Sequence, residues 1–314
     1  MQQATLTRAG FTLGDADVPA PQADEFLIRT TACGVCGGDV HVYRTRDALA
    51  TPELLLGHEG AGIIVAKGDE ASGFEIGDRI TAIGGAYADF FVARASDLVK
   101  LPDAVNAVHA LGEPIACCVH AGDRFGMQPG ASVAVVGCGF MGLVCLQIAK
   151  LQGAGEIVAI DPVAYRREMA GQLGAARTLH PDDIRVDDPW TGEFDLVIEA
   201  AGGQAALDLC GDLVAHHGRI VLIGYHESND GMRDVNMKLW NFKAIDVVNG
   251  HVRRHDEKRA AMEKGIRWLA EGKLVTEPLV RQYALENVDQ AFRDFEANDD
   301  GLFKAVLIPD ADDK

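Results

Sequence analysis

Val133-Ala134-Val135-Val136-Gly137-Cys138-Gly139-Phe140-Met141-Gly142 is the stretch on which the fold turns. Four apolar residues run into a glycine-rich turn, the turn opens a helical pattern over 141–150, and a second apolar run at 157–160 ends in Asp161. Strand, tight turn, helix, strand and acid, in that order, are what a dinucleotide site requires. The first glycine permits the turn, the second lets the backbone approach a pyrophosphate, and the third lets helix and strand pack closely. The helix N-terminus then faces the phosphate charge. Glycines also mark ordinary loops, so the weight rests on the flanking strands and on Asp161. Gly137, Gly139, Phe140, Met141 and Gly142 are the expected nucleotide contacts, and Asp161 the acceptor for ribose hydroxyls. A carboxylate there favours NAD over NADP, because it would repel a 2′-phosphate. Arg166 is close enough in sequence to soften that repulsion.

Working outward, the pattern alternates as a doubly wound parallel sheet should. Strands are predicted at 133–136, 157–160, 176–179, 196–199, 220–223 and 244–248, and helices at 141–152, 164–173 and 204–216. Together they define a nucleotide-binding domain over residues 120–250. Gly224, Tyr225 and His226 follow the fifth strand, where this architecture binds ligands. Gly224 and Tyr225 are expected beside the nicotinamide, although Tyr225 and His226 read equally well as packing residues. Residues 1–119 differ: short β-rich runs such as 26–30 and 63–66 alternate with glycine turns. Beyond 250 come amphipathic helices at 256–271 and 285–298 and a closing strand at 303–308. Residues 251–314 are expected to return to the first domain and leave a cleft between the two. No internal repeat or low-complexity segment is present.

Bulk properties narrow the class. A chain of 314 residues suggests two domains. It is 48% hydrophobic, with no apolar run near the length that spans a bilayer. The first ten residues lack a basic-then-apolar signal pattern, so the cytoplasm is the expected compartment. A formal charge of −18 argues against nucleic acid and anionic membrane surfaces as partners. The acidity fits adaptation to salt or simple solubility. Seven cysteines, an odd number, do not make a disulfide framework, and Cys145 and Cys210 read as small core residues.

Upstream of the glycine turn lie candidate metal ligands. Cys36 stands in Cys33-Gly34-Val35-Cys36-Gly37-Gly38-Asp39-Val40-His41, His58 and Glu59 in Gly57-His58-Glu59-Gly60-Ala61-Gly62, and Glu113 precedes Pro114. One thiolate, one imidazole and carboxylates suit Zn²⁺ and leave a coordination position open for substrate. Each alone would be unremarkable: a buried cysteine, a hydrogen-bonded histidine, a surface glutamate.

These pieces, with the turn Gly77-Asp78-Arg79 and the fingerprint ending at Asp161, cover most of the chain in order. They resemble the zinc-dependent medium-chain dehydrogenase/reductase superfamily, the alcohol and polyol dehydrogenases. The resemblance implies an α/β chain with a GroES-like β-rich catalytic domain and a Rossmann domain. It implies Cys36 and His58 as primary zinc ligands and Glu59 as a ligand or close neighbour of the metal. Glu113 stands where simple alcohol dehydrogenases place a cysteine, as in sorbitol- and glucose-dehydrogenase-like members. Asp39 would accept from His58 and fix its tautomer. Cys33 is read as a core residue, because no second C-x-x-C follows.

Two features depart from the family pattern. Ile83-Gly84-Gly85-Ala86-Tyr87-Ala88 runs straight into a strand where many members carry a four-cysteine lobe, so one zinc is implied rather than two. The position two after the ligand cysteine, usually a proton-relaying Ser or Thr, is Gly38, although His41 keeps the place of the relay's outer member. Glu113, Glu59 and His41 are the catalytic candidates. The implied activity is zinc-dependent, NAD(H)-linked oxidation of a secondary alcohol of a polyol, sugar or cyclitol. A simple alcohol or aldehyde reductase is the alternative. Zinc-free quinone or enoyl reductases leave Cys36 and His58 without purpose, and a non-catalytic nucleotide-binding protein leaves the whole ligand set unexplained. The expected partners are a small-molecule substrate and further copies of the chain, as homodimer or homotetramer. Residues 239–248 either pair across a two-fold axis or complete the sheet core.

Overall fold

The computed structural model describes residues 1–184, 192–297 and 301–309. In chain order the elements begin with β1 (Gln2–Thr7), β2 (Gly10–Asp15), β3 (Glu25–Gly34), α1 (Gly37–Arg44), β4 (Glu53–Leu55), β5 (Gly60–Lys67), β6 (Arg79–Ala82), β7 (Phe90–Arg94) and β8 (Leu98–Lys100). Then come α2 (Gly112–Asp123), β9 (Val133–Val136), α3 (Phe140–Leu151), β10 (Ile157–Ile160), α4 (Ala164–Leu173) and β11 (Arg177–Leu179). They are followed by β12 (Phe194–Glu199), α5 (Gln204–Leu213), β13 (Val214–Leu222), α6 (Met237–Lys243) and β14 (Asp246–Asn249). The last are α7 (His255–Ala270), β15 (Val280–Ala284), α8 (Val288–Glu296) and β16 (Lys304–Ile308).

The chain forms two compact units. One comprises residues 1–116, 258–272 and 276–314, and the other residues 117–257 and 273–275. In the first, a seven-stranded sheet has the order β15-β16-β3-β5-β6-β8, with β7 also paired to β3, and a smaller sheet has the order β2-β1-β4. Strand β3, rich in aromatic and β-branched residues, is the hub: it pairs with β5, β7 and β16. Phe292 of α8 packs its ring near those of Phe11, Tyr43 and Tyr87. Burying such rings is worth about 1.5–3 kcal/mol each.

The second unit is a six-stranded sheet of order β11-β10-β9-β12-β13-β14, with every neighbouring pair parallel. Counted within the unit this is the order 3-2-1-4-5-6 of a dinucleotide-binding fold. β9 and β10 are buried throughout, as central parallel strands must be. No helix among the described residues is long and apolar enough to cross a membrane.

Several expectations shift at element boundaries, among them the strand predicted at 220–223, which begins at Val214. The helix predicted over 204–216 ends at Leu213: Val214 pairs with Phe194 in the sheet. Lys243 Nζ donates to the Gly211 and Asp212 carbonyls, at 2.9 and 2.8 Å, which another helical turn would have used. The strand predicted at 244–248 starts at Asp246. Ala244 takes a left-handed conformation (φ 50°) and closes α6, a helix the sequence pattern concealed, whose N-cap Asn236 accepts from Leu239 N at 3.1 Å. The helix predicted over 285–298 begins at Val288, after a short 3₁₀ turn at Leu285–Asn287. Asn298, the last residue of that expectation, lies outside the described residues.

Candidate functional site

In the first unit, β3 runs out through Gly34 to Cys36, which stands in extended conformation at the N-cap of α1. The segment before β5 delivers His58 and Glu59, and Glu59 bridges in parallel to Gly84. One ligand atom each from Cys36, His58 and Glu59 lies within 4.8 Å of the others. His58 Nδ1 lies 3.5 Å from Asp39 Oδ1. Glu59 is 1% exposed and forms an ion pair at 2.6 Å with Lys304 Nζ, itself buried and donating to Val35 O at 2.9 Å. Lys304 Nζ donates to Glu59 Oε1 and lies at the same 2.6 Å from Oε2, which is buried and meets no other donor.

Burial raises the Glu59 carboxyl above its ordinary range, with Lys304 pulling the other way. Burial opposes the Lys304 charge, but Glu59 and Cys36 outweigh it and leave the amine raised. Burial, and then the Glu59 charge, pushes the Cys36 thiol up to about 12. A half-buried thiol, a half-buried imidazole and a buried carboxylate, with one ligand atom each brought close together, are a donor set that fits Zn²⁺. Glu113, in the first turn of α2, is outside this set, and its carboxylate is ion-paired with Lys258 of α7. His41 lies in the last turn of α1. At Gly38 an added Cβ would meet only Cys36 Sγ, at 3.9 Å. Cys33 is 1% exposed, and burial holds its thiol far above the ordinary range, which suits an inert core residue.

In the second unit the glycine turn is built by close approach. A Cβ at Gly142 would sit 1.9 Å from Gly137 O, and one at Gly137 (φ 97°) would sit 2.8 Å from Ala201 N. At Gly139, the N-cap of α3, nothing lies within 4 Å of such a Cβ and no side chain caps the helix. This open cradle of N–H groups at the start of a 12-residue helix fits a pyrophosphate. Phe140 and Met141 form the first turn of that helix. The Asp161 carboxylate turns into the loop: it accepts from Cys138 N and Val163 N, both at 2.8 Å, with Arg166 Nη1 4.0 Å away.

Gly224 is glycine for lack of room, since a Cβ would lie 2.4 Å from Glu199 Oε2. Tyr225 is exposed and meets the His251 ring edge-on at 5.7 Å. His226 is held at both ring nitrogens. It shares a 3.0 Å hydrogen bond with Glu199 Oε2, while its other nitrogen accepts from Arg233 Nε at 3.0 Å. Glu199, fully buried, also accepts from Ala201 N and Gly202 N at 2.9 and 2.7 Å. Sequence reasoning missed Glu199, Arg233, Lys258, Lys304 and Tyr87. A lysine inside the apolar run 302–308 was the one legible signal.

A zinc-binding dehydrogenase family model matches residues 141–271, and an alcohol dehydrogenase GroES-like domain model matches residues 22–103. The chain is 29% identical to a sorbitol dehydrogenase of Bacillus subtilis (strain 168), covering 87% of each chain. It is also 29% identical to an L-threonine 3-dehydrogenase of Bacillus velezensis, covering 96% of each. The fold matches an alcohol dehydrogenase from Thermus sp. ATN1 with a TM-score of 0.86 at 24% identity, over 99% of this chain and 100% of that one. A Rossmann unit, together with a β-rich unit that carries a Cys-His-Glu donor set, defines a metal-assisted dehydrogenase. This chain belongs to the zinc-dependent medium-chain dehydrogenase/reductase superfamily. It is an oxidoreductase that acts on alcohols, with zinc and a nicotinamide dinucleotide as cofactors.

Proposed function

We propose that the enzyme oxidises a secondary alcohol of a polyol, sugar or cyclitol with NAD, using Cys36, His58 and Glu59 to hold one zinc ion. The observation that carries the substrate class is the open space at Gly38, beside Cys36 Sγ. Zinc, when bound, supplies a Lewis acid that eases deprotonation of the alcohol, and the nicotinamide supplies the hydride acceptor. The chain must then move a proton without a side chain at Gly38. A second hydroxyl of the substrate, or a water, has room there, and Glu113 is the carboxylate nearest in role to accept the proton. His41 would pass it outward. Similarity to the sorbitol dehydrogenase supports a polyol, and similarity to the L-threonine 3-dehydrogenase supports a secondary alcohol, since the C3 hydroxyl of threonine is one.

Preference for NAD is supported by Asp161, whose charge sits at the end of β10 against the glycine turn. Gly137, Gly139, Phe140, Met141, Gly142, Arg166, Gly224 and Tyr225 complete the nucleotide site in this reading. Residues 1–119 and 251–314 act as the catalytic domain, and residues 120–250 as the nucleotide domain. Self-association is supported by β14, which pairs with β13 alone among the described strands and exposes Val247. All seven cysteines are free, which supports a reducing cytoplasm.

The test is a panel of polyols, sugars and monohydric alcohols with NAD and NADP, followed by absorbance of the reduced nucleotide. Turnover confined to polyols with NAD is the expected result, and better efficiency with NADP or with monohydric alcohols would defeat the proposal. Within it, Glu113→Gln should lose far more activity than His41→Ala in zinc-replete enzyme.

A further inference from the structure

We propose that Tyr87 is a positioning residue for the metal site: its buried hydroxyl holds Asp39, and Asp39 so held orients His58. Tyr87 comes from the short 83–88 segment that runs directly into β7. It is 1% exposed, and its hydroxyl donates to Asp39 Oδ2 at 2.6 Å, with Gly34 O farther off at 3.4 Å. One phenolic proton serves one acceptor fully, and the shorter contact is to the carboxylate. That leaves Asp39 Oδ1 for His58 Nδ1, at 3.5 Å. The His58 side chain is 42% exposed, so the tyrosine and not the histidine pins this carboxylate from its buried side.

The same segment braces His58 through the backbone. Tyr87 N donates to Leu56 O at 3.2 Å, Gly84 N to His58 O at 3.0 Å, and Gly60 N to Gly84 O at 2.8 Å. Gly57, with φ 102°, lets the two strands of this arrangement touch, since a Cβ there would lie 2.9 Å from Tyr87 N. The ring itself is clamped edge-on by Phe11 and Phe292, with centroids at 6.2 and 5.9 Å. Burial, then the negative charge of Asp39, raises the phenol well above its usual range, so it stays a donor. Ring, backbone and hydroxyl therefore fix the acceptor before any metal arrives.

The inference rests on the assignment of zinc to Cys36, His58 and Glu59. Partners that orient a ligating histidine typically set metal affinity by about 10–100-fold. Tyr87→Phe keeps the ring and removes only the hydroxyl, and zinc release to excess chelator should then speed up within that range, with a shifted visible spectrum of the cobalt-substituted protein. In an Asp39→Asn background the same substitution should change release by less than about twofold, because the acceptor it serves is gone. Release from Tyr87→Phe within about twofold of wild type would overturn the proposal, as would an undiminished effect in the Asp39→Asn background. Faster release from Tyr87→Leu but not from Tyr87→Phe would assign the residue to packing and overturn it too. A wild-type protein that holds no zinc would defeat the underlying site assignment instead.

Discussion

Gly38→Ser puts back the side chain that the proton route lacks. The backbone accepts it: a Cβ at Gly38 meets only Cys36 Sγ, at an ordinary 3.9 Å, and the position lies in the first turn of α1. Replacing glycine at an unstrained helical position lowers the entropy of the unfolded chain, so stability should hold or rise by about 0.4–1 kcal/mol. A well-placed proton acceptor contributes about 10²–10⁴ to rate. The new hydroxyl has not been tuned by its surroundings, and about 10–100-fold is expected in kcat/KM for monohydric secondary alcohols. That corresponds to about 1.4–2.7 kcal/mol of barrier. A polyol that brings its own hydroxyl should gain little, and should lose where the serine fills that space. Initial rates with NAD, on enzyme of verified zinc content and unchanged melting, separate these outcomes. A correctly folded, zinc-loaded serine variant that gains nothing on any monohydric alcohol would refute the reasoning.

Other substitutions test the neighbouring assignments. Cys36→Ala and His58→Ala should each abolish turnover and lower zinc content, while nucleotide affinity measured by fluorescence titration stays within about threefold. Lys304→Met strands the Glu59 carboxylate without its cation, and should cost the metal-free protein about 3–5 kcal/mol. Added zinc should narrow that loss in urea unfolding, and an equal loss with and without zinc would contradict a role for Glu59 at the metal. Lys243→Met should lower stability by about 1–3 kcal/mol, since it takes the donor from the carbonyls of Gly211 and Asp212. A melting curve superimposable on wild type would show those carbonyls satisfied otherwise.

The nucleotide unit was legible because its signals are local. β9, the glycine turn, α3 and β10 are consecutive, and Gly142 answers a contact with Gly137 inside the same motif, although Gly137 itself is crowded by Ala201. The misplaced end of α5 at Leu213 has a distant partner: one lysine of α6 reaches the carbonyls that end it. The metal candidates Cys36, His58 and Glu59 were identified from their residue types and motif context, and the structure brings all three together. Their support was hidden for the same reason. Lys304 reaches Glu59 across 245 residues of sequence, and Lys258 reaches Glu113 across 145. Tyr87 reads in sequence as one more aromatic of a β-rich domain, because nothing local announces what its hydroxyl meets. Asp161 was found for its charge, but its hydrogen bonds to the turn were not foreseen.

The placement of β16 against β3 has a consequence for how the enzyme is made. Val306 and Leu307 pair with Gly34 and Cys33, and Lys304 brings the counter-charge to Glu59. Almost the whole chain must therefore leave the ribosome before the end of β3 has its neighbouring strand and Glu59 its cation. The parallel sheet needs only residues 133–249 and can assemble earlier, as a unit of its own. Until Lys304 arrives, a nascent chain carries an exposed edge on β3 and a carboxylate without its partner, and a metal ion binding then would meet an unfinished site. On the proposed assignment of zinc to Cys36, His58 and Glu59, loading would be a late maturation event, and frameshifts that remove only the closing strand should yield protein able to bind nucleotide but slow to retain metal.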